Sequence, residues 1–308
     1  MTHTRSLLVS PSLAALLLAA LPACRTAGTM PVCPATLVGS DRALEADTRM
    51  LPPAQWLSLL VRGVDRSTML PPEDPHECSG LPVGLEWPDE HSAAIDPRST
   101  AKPLPPRPLT DADMTFGEGP DGQILIWARI TYFDDGTALG PVALARWVER
   151  GVEIRGIGTL WAPQRRARLR VEPLGEDAQL LVADGERCTG DDLSSCTHEI
   201  YLLPLVNQRF MQADLVVDDA PVGPARVVTV ERRETPLPDG WVRRSDVQRR
   251  LRLSGDSTVI SEVVRIRACD PKNKPELCQD EFRAEENRPL AWKDGRFTTS
   301  RSAWDDTP

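Results

Sequence analysis

From Thr115 onward the hydrophobic positions carry the signature of strands, whereas the stretch before it is repeatedly broken by proline. Residues 123–133, QILIWARITYF, are apolar and β-branched and stop at the turn signal Asp134-Asp135-Gly136. Between Arg166 and Val171 the pattern alternates, with Ala167, Leu169 and Val171 on one face and Arg166, Arg168 and Arg170 on the other. PLGEDA then turns the chain, and QLLVAD returns as the partner strand. Later, Leu251 and Leu253 alternate with Arg250 and Arg252, SGDS turns, and TVISEVVRIRA follows as a long strand. AWKDGRFTT reads as a hairpin with Asp294-Gly295 at its type I′ turn.

These segments repeat. Trp161 corresponds to Trp241, the Arg-Leu-Arg triplet 168–170 to 250–252, and Arg209-Phe210 to Arg296-Phe297. Each unit also holds a pair of cysteines around a short polar loop, Cys188/Cys196 and Cys269/Cys278. Two copies of one β unit, near 159–212 and 239–299, are therefore expected to pair or stack over a common core, with Leu169 and Leu251 buried at equivalent places.

Residues 25–110 are different in kind. Of the 29 prolines in the chain, 14 lie between Pro31 and Pro108, so this region reads as irregular. One short helix is predicted within it, PPAQWLSLLVRGVD, with Pro52 and Pro53 at its start and Trp56, Leu59, Leu60 and Val64 at helical spacing. The run 97–109, PRSTAKPLPPRPL, reads as an extended linker or wrapping arm, with a proline-recognition ligand as the alternative.

The first residues carry an address. Arg5 supplies a positive start, and Leu13–Leu21 is wholly apolar but too short to span a bilayer, which takes roughly 20 residues. Leu21-Pro22-Ala23-Cys24 follows, and this segment resembles the lipobox of bacterial lipoproteins. The resemblance implies removal of a signal peptide, residues 1–23, and diacylglyceryl attachment to Cys24, which would become the first residue of the mature chain. Acyl chains contribute about 0.8 kcal/mol per buried methylene, so two or three of them anchor stably. Arg25 stands where Asp retains some lipoproteins at the inner membrane, which favours the outer membrane. An ordinary secretory signal cleaved near Ala23 or Ala27 is the alternative.

The cysteine count agrees with export. There are seven, and an odd number in an oxidising compartment needs a use for the extra thiol. Cys24 as the lipid site leaves six, which pair most simply as Cys33–Cys78, Cys188–Cys196 and Cys269–Cys278. Structural zinc is disfavoured, because its thiolates stand about two to four residues apart and the histidines His3, His76, His91 and His198 are scattered. Nothing in the sequence points to a cofactor. Removing Arg5 with the signal leaves 35 basic residues against 45 acidic ones, net −10. That balance disfavours nonspecific nucleic-acid binding.

No catalytic constellation stands out. There is no G-x-S-x-G elbow, and His198 reads as a surface or structural residue. The carboxylate pairs Asp134/Asp135, Glu176/Asp177, Asp191/Asp192 and Asp218/Asp219 all sit in turn-like segments, where Asp caps local backbone. SGDS and FDDGT lack the alternating Asp spacing of calcium loops. The arginine rows are expected to pair across strands with acids such as Glu172, Glu231 and Glu262, with anionic polysaccharide or lipid headgroups as the alternative partners.

The sequence therefore predicts a mainly β protein: antiparallel sheets built from two similar β units, preceded by a Pro-rich irregular region with one short helix. Residues 24–110 would form the lipid-anchored Pro-rich region and 111–308 the β domain. The expected role is a noncatalytic cell-envelope lipoprotein that binds an envelope protein or polysaccharide and no nucleic acid. An envelope glycan hydrolase using turn carboxylates is the alternative.

Overall fold

The computed structural model describes residues 31–37, 51–86, 101–148, 151–175, 178–188, 196–254, 257–273 and 276–307. The signal, Cys24, the Glu176–Asp177 and Asp191–Asp192 turns and the start of the 97–109 run lie outside them. Among the described residues mainly β structure forms, in several sheets with one α-helix. No helix among the described residues is long and apolar enough to cross a membrane.

Eight strands close into a ring. In order around it they are Gly151–Pro163, Arg209–Phe210, Cys196–Val206, Ala178–Cys188, Arg165–Leu174, Met114–Glu118, Ile124–Ala128 and Thr137–Val148, which pairs back onto Gly151–Pro163. Most neighbours are antiparallel. The two exceptions set Arg209–Phe210 parallel to Ile157 and Gly158, and Glu118 parallel to Arg170. Chain crowding at these two joins selects glycine. A Cβ on Gly158 would sit 2.2 Å from the carbonyl oxygen of Phe210, and one on Gly117 would sit 2.2 Å from that of Leu169. Closure leaves the ring itself without unpaired edges.

The barrel strands are buried on both faces over much of their length. Leu125, Trp127, Leu144, Trp161, Leu169, Leu181, Tyr201 and Phe210 fill the interior. On the outside, Ile126, Ala128, Ala143 and Ile154 meet Trp56, Leu57 and Leu60 of the helix. Elsewhere on the outside, Leu180, Val182, Ile200 and Leu202 meet Ile260, Leu290 and Phe297 of the C-terminal sheets. Double burial is why 123–133 reads as a continuous apolar run. Each fully buried Leu or Ile contributes roughly 1.5–3 kcal/mol, so both outer layers add to the stability of the barrel.

The helix spans Pro53–Leu60 and is shorter than its spacing suggests. Val61 turns extended (φ −122°, ψ 128°) and pairs with Glu77, so the chain leaves the helix to form a short ladder. The run 123–133 also divides, at Arg129. Its buried guanidinium donates to the carbonyls of Ala112, Asp113 and Gln164, which takes it out of strand geometry.

Both repeated segments form the expected strands in the expected order: an Arg-bearing strand, a partner strand, a third strand joined to it by a disulfide, and a short Arg-Phe strand, which in the second unit is preceded by Ala291–Lys293; residues 255–256 of the SGDS turn lie outside the described residues. In each, the Arg-Phe strand runs parallel to a neighbour, and Phe210 and Phe297 are buried. The first meander belongs to the barrel. The second is a separate four-stranded sheet of Val230–Pro236, Val242–Ser254, Ser257–Asp270 and Leu277–Pro289. The triplets do not coincide in space. Leu169 lies opposite Ala183 and is buried, whereas Leu251 lies opposite Ile260, further from its cysteine pair, and is half-buried.

The six cysteines pair as Cys33–Cys78, Cys188–Cys196 and Cys269–Cys278. The last two join residues directly opposite each other at hairpin ends. Cys33–Cys78 ties the segment after the helix to the strand that pairs with Gly151–Pro163.

Replacing Gly158 by Ala is expected to cost about 2 kcal/mol or more in chemical denaturation, because backbone must move to admit the methyl group. Gly84 has open space where a Cβ would go, and Gly84→Ala is expected to change stability by less than about 0.5 kcal/mol.

Candidate functional site

Among the described residues, the turn carboxylates Asp134/Asp135 and Asp218/Asp219 do not converge on a cleft. Asp135 accepts from the amide and hydroxyl of Thr137 at 3.0 and 2.6 Å, and Asp134 accepts from the amide of Lys102 at 2.9 Å. Asp218 and Asp219 occupy the left-handed region at the tip of a hairpin. His198 is a strand residue, with Nδ1 3.0 Å from the hydroxyl of Thr229 and Nε2 3.5 Å from Asp184. Glu186 and Glu276 each stand beside a disulfide, and its sulfurs, bonded to each other, offer no thiolates.

The chemistry that the residue pairs did not reveal lies in single buried carboxylates, each surrounded by donors. Glu77 accepts from Arg209 and Ser79, and Arg209 reaches on to Glu86 at 2.6 Å. Glu199 accepts from Arg187 at 2.6 Å and from the Tyr201 hydroxyl at 3.0 Å. Glu262 accepts from Arg249 at 2.6 Å, Arg288 at 3.2 Å and the Ser302 hydroxyl. Burial pushes Glu77 above the usual carboxylate range, and it pushes the Tyr201 hydroxyl up together with the charge of Glu199. Charged groups this deep are tolerated because each is paired and hydrogen-bonded. An isolated Glu inside an apolar strand, as in HEIYLL, is the sequence signal for such a node.

The arginine rows divide between two behaviours. Arg170 meets Glu172 at 3.0 Å and Asp184 at 3.1 Å, and Arg249 meets Glu231 and Glu262. Arg168, Arg250 and Arg252, three of the four triplet arginines, are exposed and make no such pair with the described residues.

The fourth buried carboxylate, Asp113, holds two residues that line a concave surface, Arg107 and Tyr132. It accepts from both Nη atoms of Arg107 at 3.0 and 2.5 Å, from the amide and hydroxyl of Thr110 at 2.6 and 3.0 Å, and from the Tyr132 hydroxyl. The Arg107 guanidinium lies 4.6 Å over the Tyr132 ring. These contacts pin the proline arm to the barrel. The arm continues as an added edge: the amide of Leu104 donates to Tyr132 at 2.7 Å, and that of Asp134 to Lys102 at 3.0 Å. The result is a groove of about 460 Å³ walled by Pro71, Pro72, Pro75, Pro103, Pro105 and Pro106, with Ile130 and Tyr132 behind them. Its one lining carboxylate is Glu73. Leu70 and Leu104 are exposed nearby. Prolines keep such walls rigid at little further entropic cost.

Burial pushes Asp113 up, but its bonds to Arg107, Tyr132 and Thr110 outweigh that and hold it below the usual carboxylate range. Burial and the bond to Asp113 together raise the Tyr132 hydroxyl.

No protein family, curated protein or solved structure matches the chain.

A carboxylate with a depressed native pKa contributes stability that is present above its unfolded value and lost as pH falls through its folded value. Asp113→Asn is therefore expected to be less stable than the parent near neutrality, with the gap closing as pH drops below about 4, the unfolded aspartate value. Denaturant midpoints measured across that range check this.

Proposed function

We propose that this chain is an exported, noncatalytic lipoprotein of the cell envelope, held to the membrane through Cys24 and docking another envelope protein in its proline-walled groove. The single observation that carries this reading is the groove itself: a rigid apolar concavity beside the Pro-rich arm, lined by one carboxylate. Docking surfaces take this form. A glycan hydrolase needs two carboxyls facing each other across a sugar, about 5–9.5 Å apart. The four buried carboxylates described above are instead each engaged by arginine. The odd cysteine supports the anchor: six of the seven are bonded to one another, which leaves Cys24, in its lipobox context, for lipid.

Two experiments test the two halves of the proposal. Cys24→Ser is expected to abolish acyl labelling and to move the protein out of the membrane fraction or stall it as a precursor. A variant that is processed, acylated and membrane-bound as before contradicts the anchor. A photo-crosslinking residue at Leu104 is expected to give one discrete protein adduct in intact cells, lost when Pro72 is replaced by Asp. The same probe at exposed Leu277, outside the groove, is expected to give none. Identical adducts from both positions contradict the groove as the docking site.

A further inference from the structure

The outward face of the second meander is an ordered grid of arginine, and its register shows how it is built. Across the four strands one row reads Glu234, Arg244, Arg267, Asp280, and the next reads Arg232, Asp246, Arg265, Arg283. Further along, Gln248 stands beside Val263, and Arg250 and Arg252 stand beside Ser261 and Val259. Like charges therefore face each other directly at Arg244–Arg267 and Arg265–Arg283. Such cross-strand pairs destabilise a sheet, so stability does not account for them.

Part of the charge is answered locally. Arg244 bonds Glu234 and Glu276, Arg267 lies 3.3 Å from Asp246, and Arg283 lies 2.5 Å from Glu285. Arg232, Arg250, Arg252 and Arg265 have no hydrogen-bond or ion-pair partner among the described residues, and the first three are exposed. This excess of positive charge sits on a chain whose formal net charge is −9. At one end the grid deepens into a groove of about 350 Å³ lined by Arg232, Arg233, Arg244 and Arg267, with Glu234 and Asp246 among them.

We propose that this face binds an anionic polysaccharide. Alternate residues on a strand stand about 6.8 Å apart and neighbouring strands about 4.8 Å. The grid thus offers guanidinium forks a few ångströms apart along and across the strands, and each fork donates two bonds to a carboxylate or phosphate. Gln248, Ser261 and Asn287, between the arginines, suit sugar hydroxyls. The face carries valines but no aromatic, leucine or isoleucine side chain. It therefore has no large apolar side chain to insert into a bilayer and no aromatic ring on which bases stack. The proposal is independent of the groove and of the anchor, and its failure would leave both readings standing.

The test uses the full chain and polygalacturonate as a polycarboxylate probe, with neutral dextran as the control polymer. Polygalacturonate is expected to bind with a salt-dependent affinity and dextran not to bind. Replacing Arg250 and Arg252 together by Gln is expected to weaken polygalacturonate binding on the order of tenfold and to flatten the salt dependence. Arg146→Gln changes one charge on a different, exposed strand end and is expected to leave binding unchanged. Should the double variant fail to fold, Arg265→Gln repeats the test with one unpaired side chain. The proposal is overturned if polygalacturonate does not bind, or if Arg146→Gln weakens it as much as the double change. It is equally overturned if phosphatidylglycerol-containing vesicles or duplex DNA bind more tightly than the glycan.

Discussion

Closure of the eight-strand ring is the constraint on which the remaining structure depends. A barrel assembled from meanders needs two joins between strands that do not follow one another in the chain, and here both joins are parallel. At each, one strand passes so close to its neighbour's carbonyl that only hydrogen fits on the α-carbon, at Gly117 and at Gly158. Once the ring is shut, its interior is filled by Trp127, Trp161, Tyr201 and Phe210, and its outside becomes a second apolar surface. The helix layer and the C-terminal sheets cover different parts of that outer surface. The Pro-rich segments and the barrel thus share one core.

Charge then fixes where the covering layers sit. Hydrophobic contact is tolerant of sliding, whereas a buried carboxylate inside a fork of guanidinium groups is not. Glu77 with Arg209 locks the segment after the helix to the barrel, and Asp113 with Arg107 locks the proline arm. Glu262 with Arg249, Arg288 and Ser302 locks the C-terminal end to the second meander. The positions of the two candidate binding faces follow from these nodes. The groove stands on Asp113 and Tyr132, and the arginine grid is the far side of the sheet whose near side holds Glu262.

Strands that alternate were legible in the sequence, and so were turns with strict backbone demands. Residues 165–174 and 242–254 carry the alternation, and Asp294-Gly295, both in the left-handed region, carries the hairpin. Short cysteine loops were legible because proximity in the chain leaves few pairings. The hairpin of Thr137–Val148 and Gly151–Pro163 was not, since burial on both faces erases the alternation that marks a strand. Ring closure was equally hidden, because it depends on contacts between residues far apart in the chain, such as Gly117 with Leu169. The repeated landmarks were real as an order of elements and misleading as a register: Leu169 and Leu251 fall at different distances from their cysteines because the second hairpin is longer on the turn-to-cysteine side. At the candidate sites, adjacent turn acids such as Asp134 and Asp135 bond nearby backbone, while the acids that organise the structure stand singly, Glu77, Glu199 and Glu262 inside strands and Asp113 in a short 3-10 turn.

Native-state amide hydrogen exchange at the barrel joins tests ring closure most directly. The amide of Ile157 donates to the carbonyl of Gln208 at one join, while Leu181 and Leu203 pair in the middle of the antiparallel wall. A closed ring requires all three amides to exchange only through global unfolding, with one shared opening free energy. Rapid exchange at Ile157 through a low-energy local opening, with Leu181 and Leu203 still protected, would show an open sheet and contradict the architecture on which both binding faces are placed.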